Sequence, residues 1–151
     1  MAENTDSYSF QRAQAWRRYA PFLSGCPNAY VLVVSASQPS DEVRTALQKS
    51  FAALGYGTDS CTYFVATSEQ LTPDDAFEAV EALDPGILIA ADRPSQALIE
   101  TAYRTAFPLL AKTQVFGRQA RAFDSLESLM ETPAGHQQIW AALKSLPRIS
   151  R

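Results

Sequence analysis

The sequence predicts an α/β protein, a three-layer αβα sandwich with helices on both faces of a four-stranded parallel sheet. Two apolar runs carry this prediction: residues 30–36 read Y-V-L-V-V-S-A and residues 87–91 read I-L-I-A-A. Runs of this length are too short for a buried helix and are typical of strands covered on both faces, as in a parallel sheet. Amphipathic segments follow each run, so strand and helix alternate along the chain.

The composition fits one domain with a hydrophobic core. The chain has 151 residues, of which 46% are apolar and 19% charged. No apolar run approaches the roughly 20 residues that span a bilayer, and the polar, acidic start lacks the pattern of a signal peptide. We therefore expect a cytoplasmic protein with no membrane association. Residues 1–7 are expected to be disordered, and residues 8–151 to form a single domain.

The first half of the chain predicts three helices and two strands. A helix over residues 8–23 is expected to bury Phe10, Ala13, Trp16, Ala20 and Leu23, and to end at Gly25. The run at 30–36 is the first strand. Ser40 suits the N-cap of the next helix, which ends near residue 54. A second strand at 61–66 follows, and then a helix that begins at Thr72-Pro73, a typical N-terminal signature.

The second half predicts two more strands and three helices. The third strand covers residues 86–91, and Pro94 and Ser95 open the helix after it. The fourth strand is expected at residues 113–116. The remaining predicted elements are an extended segment at 120–123, a helical turn at 125–130 and a last helix at 134–146 that buries Ile139, Trp140, Leu143 and Leu146.

Polar residues follow the predicted strands at the positions where a ligand would meet the sheet. In open α/β sheets, ligands bind at the carboxyl ends of the strands. The candidate ligand-binding residues are therefore Ser37, Gln38, Asp92, Arg93 and Ser125. Their spacing specifies no reaction, and no catalytic residue is assigned.

The chain contains few residues that bind metals. Cys26 and Cys61 do not form a CxxC pair and give no disulfide framework, and His136 is the only histidine. These residues are too few for a conventional zinc site or a four-cysteine iron–sulphur cluster, so we expect no metal and no cofactor. Cys61 is expected to be a small buried residue. For His136 a structural or surface role is favoured, and a role as base or ligand stays open.

Charge is distributed unevenly along the chain. Residues 1–91 hold 5 Lys/Arg and 11 Asp/Glu, whereas residues 92–151 hold 8 and 5. Six acidic residues lie together in the first half with no basic residue between them and predict a solvated helix face. This acidic run consists of Glu69, Asp74, Asp75, Glu78, Glu81 and Asp84. Nucleic-acid binding needs a basic surface. The candidates for such a surface are Arg93, Lys112, Arg118 and Arg121.

The last forty residues resemble a known family. Leu129-Met130, Pro133, Trp140 and Leu143 match the spacing of a C-terminal motif in uracil-DNA glycosylases of the thermophile type, which carry an iron–sulphur cluster. In that motif His-Pro-Ser is followed by two apolar residues, a proline, and a tryptophan seven residues later. Looser agreement extends over residues 52–55, 61–67 and 83–89. The resemblance implies a parallel sheet with strand order 2-1-3-4.

The departures from this family fall on its functional positions. The family's water-positioning Gly-Glu-x-Pro-Gly loop is replaced here by residues 35–39, S-A-S-Q-P, which contain no carboxylate. Its His-Pro-Ser is replaced by Ser125-Leu126-Glu127, and the cluster cysteines are absent. Loss of groups that stabilise developing charge costs several powers of ten in rate. The resemblance therefore implies a scaffold without the catalytic groups.

Two functions agree with these observations. The first is a non-catalytic, glycosylase-like binding module whose partner is a protein or, weakly, a nucleic acid. The ψ subunits of bacterial DNA polymerase III resemble the same scaffold without enzymatic activity and set a precedent. The alternative is a divergent DNA-repair hydrolase or glycosylase with an active site rebuilt from the candidate residues. The partner and the oligomeric state stay open.

Overall fold

The structure, a computed structural model, describes residues 2–66 and 69–148 and confirms the α/β class. Six helices form in this part of the chain: α1 Ala2–Arg18, α2 Asp41–Ala53, α3 Pro73–Leu83, α4 Arg93–Tyr103, α5 Leu126–Leu129 and α6 Pro133–Lys144. A single 3-10 turn, Ala20–Phe22, follows α1. The strands are β1 Leu23–Gly25, β2 Val31–Ser35, β3 Cys61–Val65, β4 Ile87–Ala90, β5 Thr113–Val115 and β6 Arg118–Ala122.

The sheet is mixed, and not the four-stranded parallel sheet that the sequence predicts. Its strands lie in the order β1-β3-β2-β4-β6-β5. The four inner strands run parallel, while β1 and β5 pair antiparallel at the two edges. Strands β2 and β4 are neighbours in the centre and every residue of both is buried, as their uninterrupted apolar runs predict.

Both edge strands were missed or misassigned from the sequence. Strand β1 occupies the end of the predicted first helix, and Gly25 lies in it with φ +90°. The expected fourth strand is the edge strand β5, and the strand that pairs with β4 is β6. Phe116 and Gly117, with φ 49° and 81°, form the two-residue turn between β5 and β6, as type I′ hairpins require. The sequence of β6, R-Q-A-R-A, does not resemble a buried strand, because the buried Arg121 takes a position where an apolar residue is usual.

Hydrophobic residues of the two central strands alternate between two clusters, one on each face of the sheet. Leu32 and Leu88 belong to a cluster that includes buried residues of α1, α3 and α4. Val33 and Ile89 belong to the other cluster, which includes residues of α2, α5 and α6. The helices therefore cover both faces, and the carboxyl ends of the inner strands meet at one end of the molecule.

Helix α1 begins earlier than predicted and buries a different face. It starts at Ala2, whereas the sequence predicts a start at residue 8. Residue 1 lies outside the described residues, and disorder of residues 1–7 in solution stays a prediction. Ala15 of the helix and Tyr19 just after it are buried, while Phe10 is 58% exposed. Of the predicted face, Trp16 and Leu23 pack partly against the core, whereas Phe10, Ala13 and Ala20 are exposed, because contacts with other elements set the helix rotation: Arg12 Nε, for example, donates to Leu83 O at 3.2 Å.

Helix α6 shows a smaller difference. Ile139 and Leu143 are buried as predicted, but Trp140 is 36% exposed and does not lie in the core. Its neighbour Ala142 occupies the buried face instead.

We therefore expect Leu143→Ala to cost about 2–5 kcal/mol of unfolding free energy, as a fully buried leucine does. Trp140→Ala should cost clearly less, under about 2 kcal/mol, because solvent already reaches the ring. Urea melts of the two variants on the same helix measure both values. An equal or larger loss for Trp140→Ala would contradict the structure.

Candidate functional site

The loops after β2, β4 and β6 meet at the carboxyl end of the inner strands and enclose a small cleft. Its volume is about 210 Å³, and its polar lining comes from Ser35, Ser37, Asp92, Ser125 and Glu127. The structure thus brings together three of the five candidate ligand-binding residues. Ser35 and Glu127 were not among the five candidates, although each lies two residues from one of them.

Asp92 holds this end of the sheet together. Its Oδ1 accepts from Ser95 N at 2.9 Å and thereby caps α4, and its Oδ2 accepts from Ala36 N at 2.8 Å. Ser95 Oγ accepts in turn from Asp92 N at 3.3 Å, which completes a capping box. Each carboxylate oxygen therefore already binds a backbone amide of a different element.

Two of the three serines that line the cleft with Asp92 make side-chain hydrogen bonds with the backbone. Ser125 Oγ accepts from Ser128 N at 3.2 Å and caps α5. Buried Ser35 donates its hydroxyl proton to Ser37 O at 2.7 Å, which folds the loop after β2 back on itself. These contacts stabilise helix starts and turns, the common role of serine at such positions.

Glu127 closes the remaining side of the cleft. Its Oε2 accepts from Ser40 N at 3.0 Å, so that α5 is tied to the residue before α2. Ser40 itself caps α2, as the sequence predicts, because its Oγ accepts from Val43 N at 3.2 Å.

The other two candidates, Gln38 and Arg93, do not line the cleft. Gln38 Nε2 lies 3.5 Å from Ser24 Oγ, at the side of β1. Arg93 is exposed and forms a salt bridge with Asp124, and Arg93 N donates to Asp124 O at 3.1 Å. The sequence places both residues after the correct strands, but their side chains turn away from the cleft.

The cleft offers limited chemistry. Ligand pockets usually enclose roughly 300–1,000 Å³, and this cleft is smaller. No histidine, cysteine, lysine or arginine lines it, and the two carboxylates that do, Asp92 and Glu127, already accept backbone amides. His136 lies elsewhere, exposed on α6, with Nε2 2.8 Å from Met130 O. Across residues 2–66 and 69–148, no group of three or more His, Cys, Asp or Glu could hold a metal ion.

Arg118, a candidate for the basic surface, is engaged in ion pairs. Its side chain is 9% exposed, with NH1 2.6 Å from Glu81 Oε2 and NH2 3.0 Å from Asp84 Oδ1. Burial opposes the charge, but the two carboxylates outweigh it and raise the pKa of Arg118. Tyr103 donates its hydroxyl to the same Glu81 at 2.6 Å; burial and Glu81 raise the pKa of Tyr103. Part of the acidic run is therefore paired and does not form a freely solvated face.

Arg121 is buried, which removes it from any nucleic-acid surface. It is 1% exposed, and its guanidinium donates to carbonyl and hydroxyl oxygens: Nε to Ser145 Oγ at 2.8 Å, NH1 to Ala120 O at 2.7 Å and to Thr113 O at 3.3 Å, and NH2 to Ser145 O at 3.2 Å. Burial lowers the pKa of Arg121. The side chain joins the C-terminal end of α6 to strands β5 and β6.

The fourth candidate, Lys112, is exposed between Ala111 and β5. The structure therefore does not gather the four cations into one basic surface. Arg93 and Arg118 form salt bridges with carboxylates, and Arg121 lies inside the fold. Lys112 is exposed.

An exposed aromatic residue, Phe116, lies at the opposite, amino end of the inner strands. Phe116 is 62% exposed, and its ring centroid lies 4.8 Å from that of Tyr103 and 5.6 Å from that of Phe77. We call Phe116 and the two rings beneath it, buried Tyr103 and half-buried Phe77, the aromatic surface. The sequence analysis did not predict this surface, because the rule used there concerns only the carboxyl ends of the strands. Phe116-Gly117, between two short extended segments, is nevertheless a turn signal.

Comparisons with known proteins do not assign the chain to a family: no protein-family model matches it, and no curated protein is significantly similar to it. Within the described ranges, no helix is long and apolar enough to cross a membrane.

The burial of Arg121 makes a direct prediction. Arg121→Ala should lower the unfolding free energy by at least about 3 kcal/mol, because it leaves a cavity and several carbonyls without donors. Lys112→Ala removes an exposed cation of the same half of the chain and should change stability by under about 0.5 kcal/mol. Denaturant melts compare the two variants. Equal stability of both would place Arg121 at the surface.

Proposed function

We propose that this chain is a non-catalytic, uracil-DNA glycosylase-like domain that acts as a binding module. One observation carries the proposal: Asp92, at the position where a ligand would meet the sheet, accepts Ala36 N at 2.8 Å and Ser95 N at 2.9 Å. A general base or water-positioning carboxylate needs a free acceptor aimed at the substrate. Here each oxygen holds the scaffold together instead.

The sheet supports the glycosylase-like part of the proposal. Numbered along the chain, the four parallel strands β2, β3, β4 and β6 lie side by side in the order second, first, third, fourth. That is the order the sequence resemblance implies. The antiparallel strands β1 and β5 extend this unit at its edges without entering it.

The loop positions support the loss of catalysis. After β2 the chain passes through residues 36–40 directly into α2, and Pro39 in this loop is buried, so little space is left for a base-binding wall. Ser125, which replaces the family's histidine, uses its hydroxyl to cap α5. Glycosylases need a pocket that encloses a flipped base and donors that stabilise the departing uracil.

A protein partner agrees with the surface better than a nucleic acid does. Binding to phosphates needs cations free to displace counterions. Arg118 and Arg93 already pair with carboxylates, and Arg121 is interior. The aromatic surface offers instead what protein interfaces are rich in, an exposed aromatic anchor. The two-residue turn between β5 and β6 holds Phe116 at φ 49° and so presents its ring to solvent.

The alternative function, a divergent DNA-repair hydrolase or glycosylase, rests on the cleft itself. Ser37, Asp92 and Ser125 line one cavity, as a rebuilt site would require. For catalysis Asp92 would have to use the second lone pair of an oxygen that already accepts a backbone amide, or give up the helix cap or the contact to Ala36.

The proposal predicts no excision of uracil. We expect the protein, incubated with uracil-containing single- and double-stranded oligonucleotides, to produce abasic sites only at the background level, while an active glycosylase in parallel reactions cleaves them. The same oligonucleotides should bind weakly, and their affinity should fall as the salt concentration rises.

Matched variants decide between the two functions. Asp92→Asn retains the size of the side chain and one acceptor, and Ser125→Ala removes only the hydroxyl. Excision well above background that disappears in either variant, with both folded by circular dichroism, would establish the hydrolase and overturn the proposal.

A further inference from the structure

Cys26 and Cys61 lie far apart in sequence but opposite each other in the fold. Strand β1 pairs antiparallel with β3, with Leu23 opposite Phe64 and Gly25 opposite Thr62. Cys26 follows Gly25 directly, and Cys26 N donates to Cys61 O at 3.1 Å, so the two cysteines face each other just beyond the end of β1. The α-carbons of opposed residues in antiparallel pairs lie about 4.5–5.5 Å apart. Disulfides usually join α-carbons about 4.4–6.8 Å apart, so this pairing suits a covalent bridge.

Two local contacts hold Cys26 at this position. Gly25 has φ +90°, and a Cβ there would lie 2.7 Å from Cys61 O, so only glycine lets the chain approach β3 this closely. On the other side, Thr62 donates its hydroxyl to Cys26 O. The backbone around the two cysteines is therefore fixed by contacts that do not involve the sulfur atoms.

We propose that Cys26 and Cys61 form an intramolecular disulfide that locks the edge strand β1 onto β3 when the protein meets a low-molecular-weight disulfide such as oxidised glutathione. Both cysteines are reduced in the structure, with Cys61 buried and Cys26 half-buried. The bridge would secure a three-residue edge strand, the part of a sheet most exposed to opening or to pairing with another chain. This inference is independent of the proposed function.

The reaction proceeds in two exchange steps. The thiolate of Cys26, the more accessible cysteine, attacks oxidised glutathione, forms a mixed disulfide and releases one glutathione thiolate. Cys61 then loses its proton to solvent, and its thiolate attacks the Cys26 sulfur, forms the intramolecular bond and releases the second glutathione. Two protein thiols are oxidised, and one glutathione disulfide is reduced to two thiols.

The surroundings of both sulfur atoms make this exchange slow at neutral pH. Burial raises the pKa of Cys61 to about 11, and burial followed by the nearby Asp59 carboxylate raises the pKa of Cys26. Two further titratable or charged groups lie near the pair. Tyr63 is on the same strand as Cys61, and the guanidinium of Arg44 in α2 lies 4.5 Å from the Tyr63 ring centroid. Because the thiolate is the reacting form, the rate should rise as pH rises toward the thiol pKa values.

The test uses the purified full chain, incubated with glutathione redox mixtures at several pH values and then quenched with acid and a thiol-blocking reagent. We expect a monomer that has lost two hydrogens, a Cys26–Cys61 cross-linked peptide in a non-reducing digest, and a rate that falls up to about tenfold for each pH unit below the thiol pKa.

Single variants make the outcome decisive. Cys61→Ala should stop at one glutathione adduct on Cys26, and Cys26→Ser should leave the buried Cys61 as a free thiol while the protein stays folded. A wild-type protein that keeps a stable glutathione adduct, that forms only intermolecular dimers, or that does not react while folded would overturn the proposal. If Cys61→Ala does not fold, the wild-type peptide map alone decides.

Discussion

The contact on which the rest of the structure depends is the double acceptor at Asp92. One oxygen receives the amide of Ala36, just beyond β2, and the other receives the amide of Ser95 in the first turn of α4. The adjacent backbone continues the connection, because Ala91 N donates to Val34 O at 2.8 Å. A charged acceptor of two backbone donors is among the stronger hydrogen-bonding arrangements in a protein. It links the two central strands and a helix at the end where an α/β sheet ordinarily holds its ligand.

This arrangement leaves a small cleft in which both oxygens of Asp92 already accept backbone amides. Ser125 and Glu127 act in the same way, since one caps α5 and the other receives the amide before α2. Residues whose identities suggest a site are used to begin helices. At the other end of the sheet Phe116 is exposed, and it is there that we propose a partner binds.

The features that the sequence predicted correctly are local or depend on one uninterrupted pattern. Strands β2 and β4 are continuous apolar runs, and Ser40 and Thr72 cap their helices through side-chain contacts three residues away. The features that were missed depend on tertiary contacts. Strand β6 was expected only as an extended segment at residues 120–123, because it contains Arg121, whose guanidinium is buried among oxygens of Ser145 and of β5. No periodicity in the sequence could show this.

The sequence predicted which candidate residues lie near one another better than it predicted what their side chains contact. Chain order and the strand-end rule placed Ser37, Asp92 and Ser125 together, and they line one cleft. Whether a carboxylate faces a ligand or a backbone amide depends on loop geometry within a few ångström, which residue types do not specify. The same limit applies to Cys26 and Cys61, whose opposition follows from the register of β1 on β3.

Native-state hydrogen exchange at Ala36 tests the central claim most directly. If Asp92 is a structural acceptor, the Ala36 and Ser95 amides exchange slowly, with protection close to that of the Ala91 amide between β2 and β4. The amide of exposed Ser37, one residue away, should exchange much faster. Exchange of Ala36 as fast as that of Ser37 would mean that the cleft is open and that Asp92 is available to a ligand, which would contradict the account.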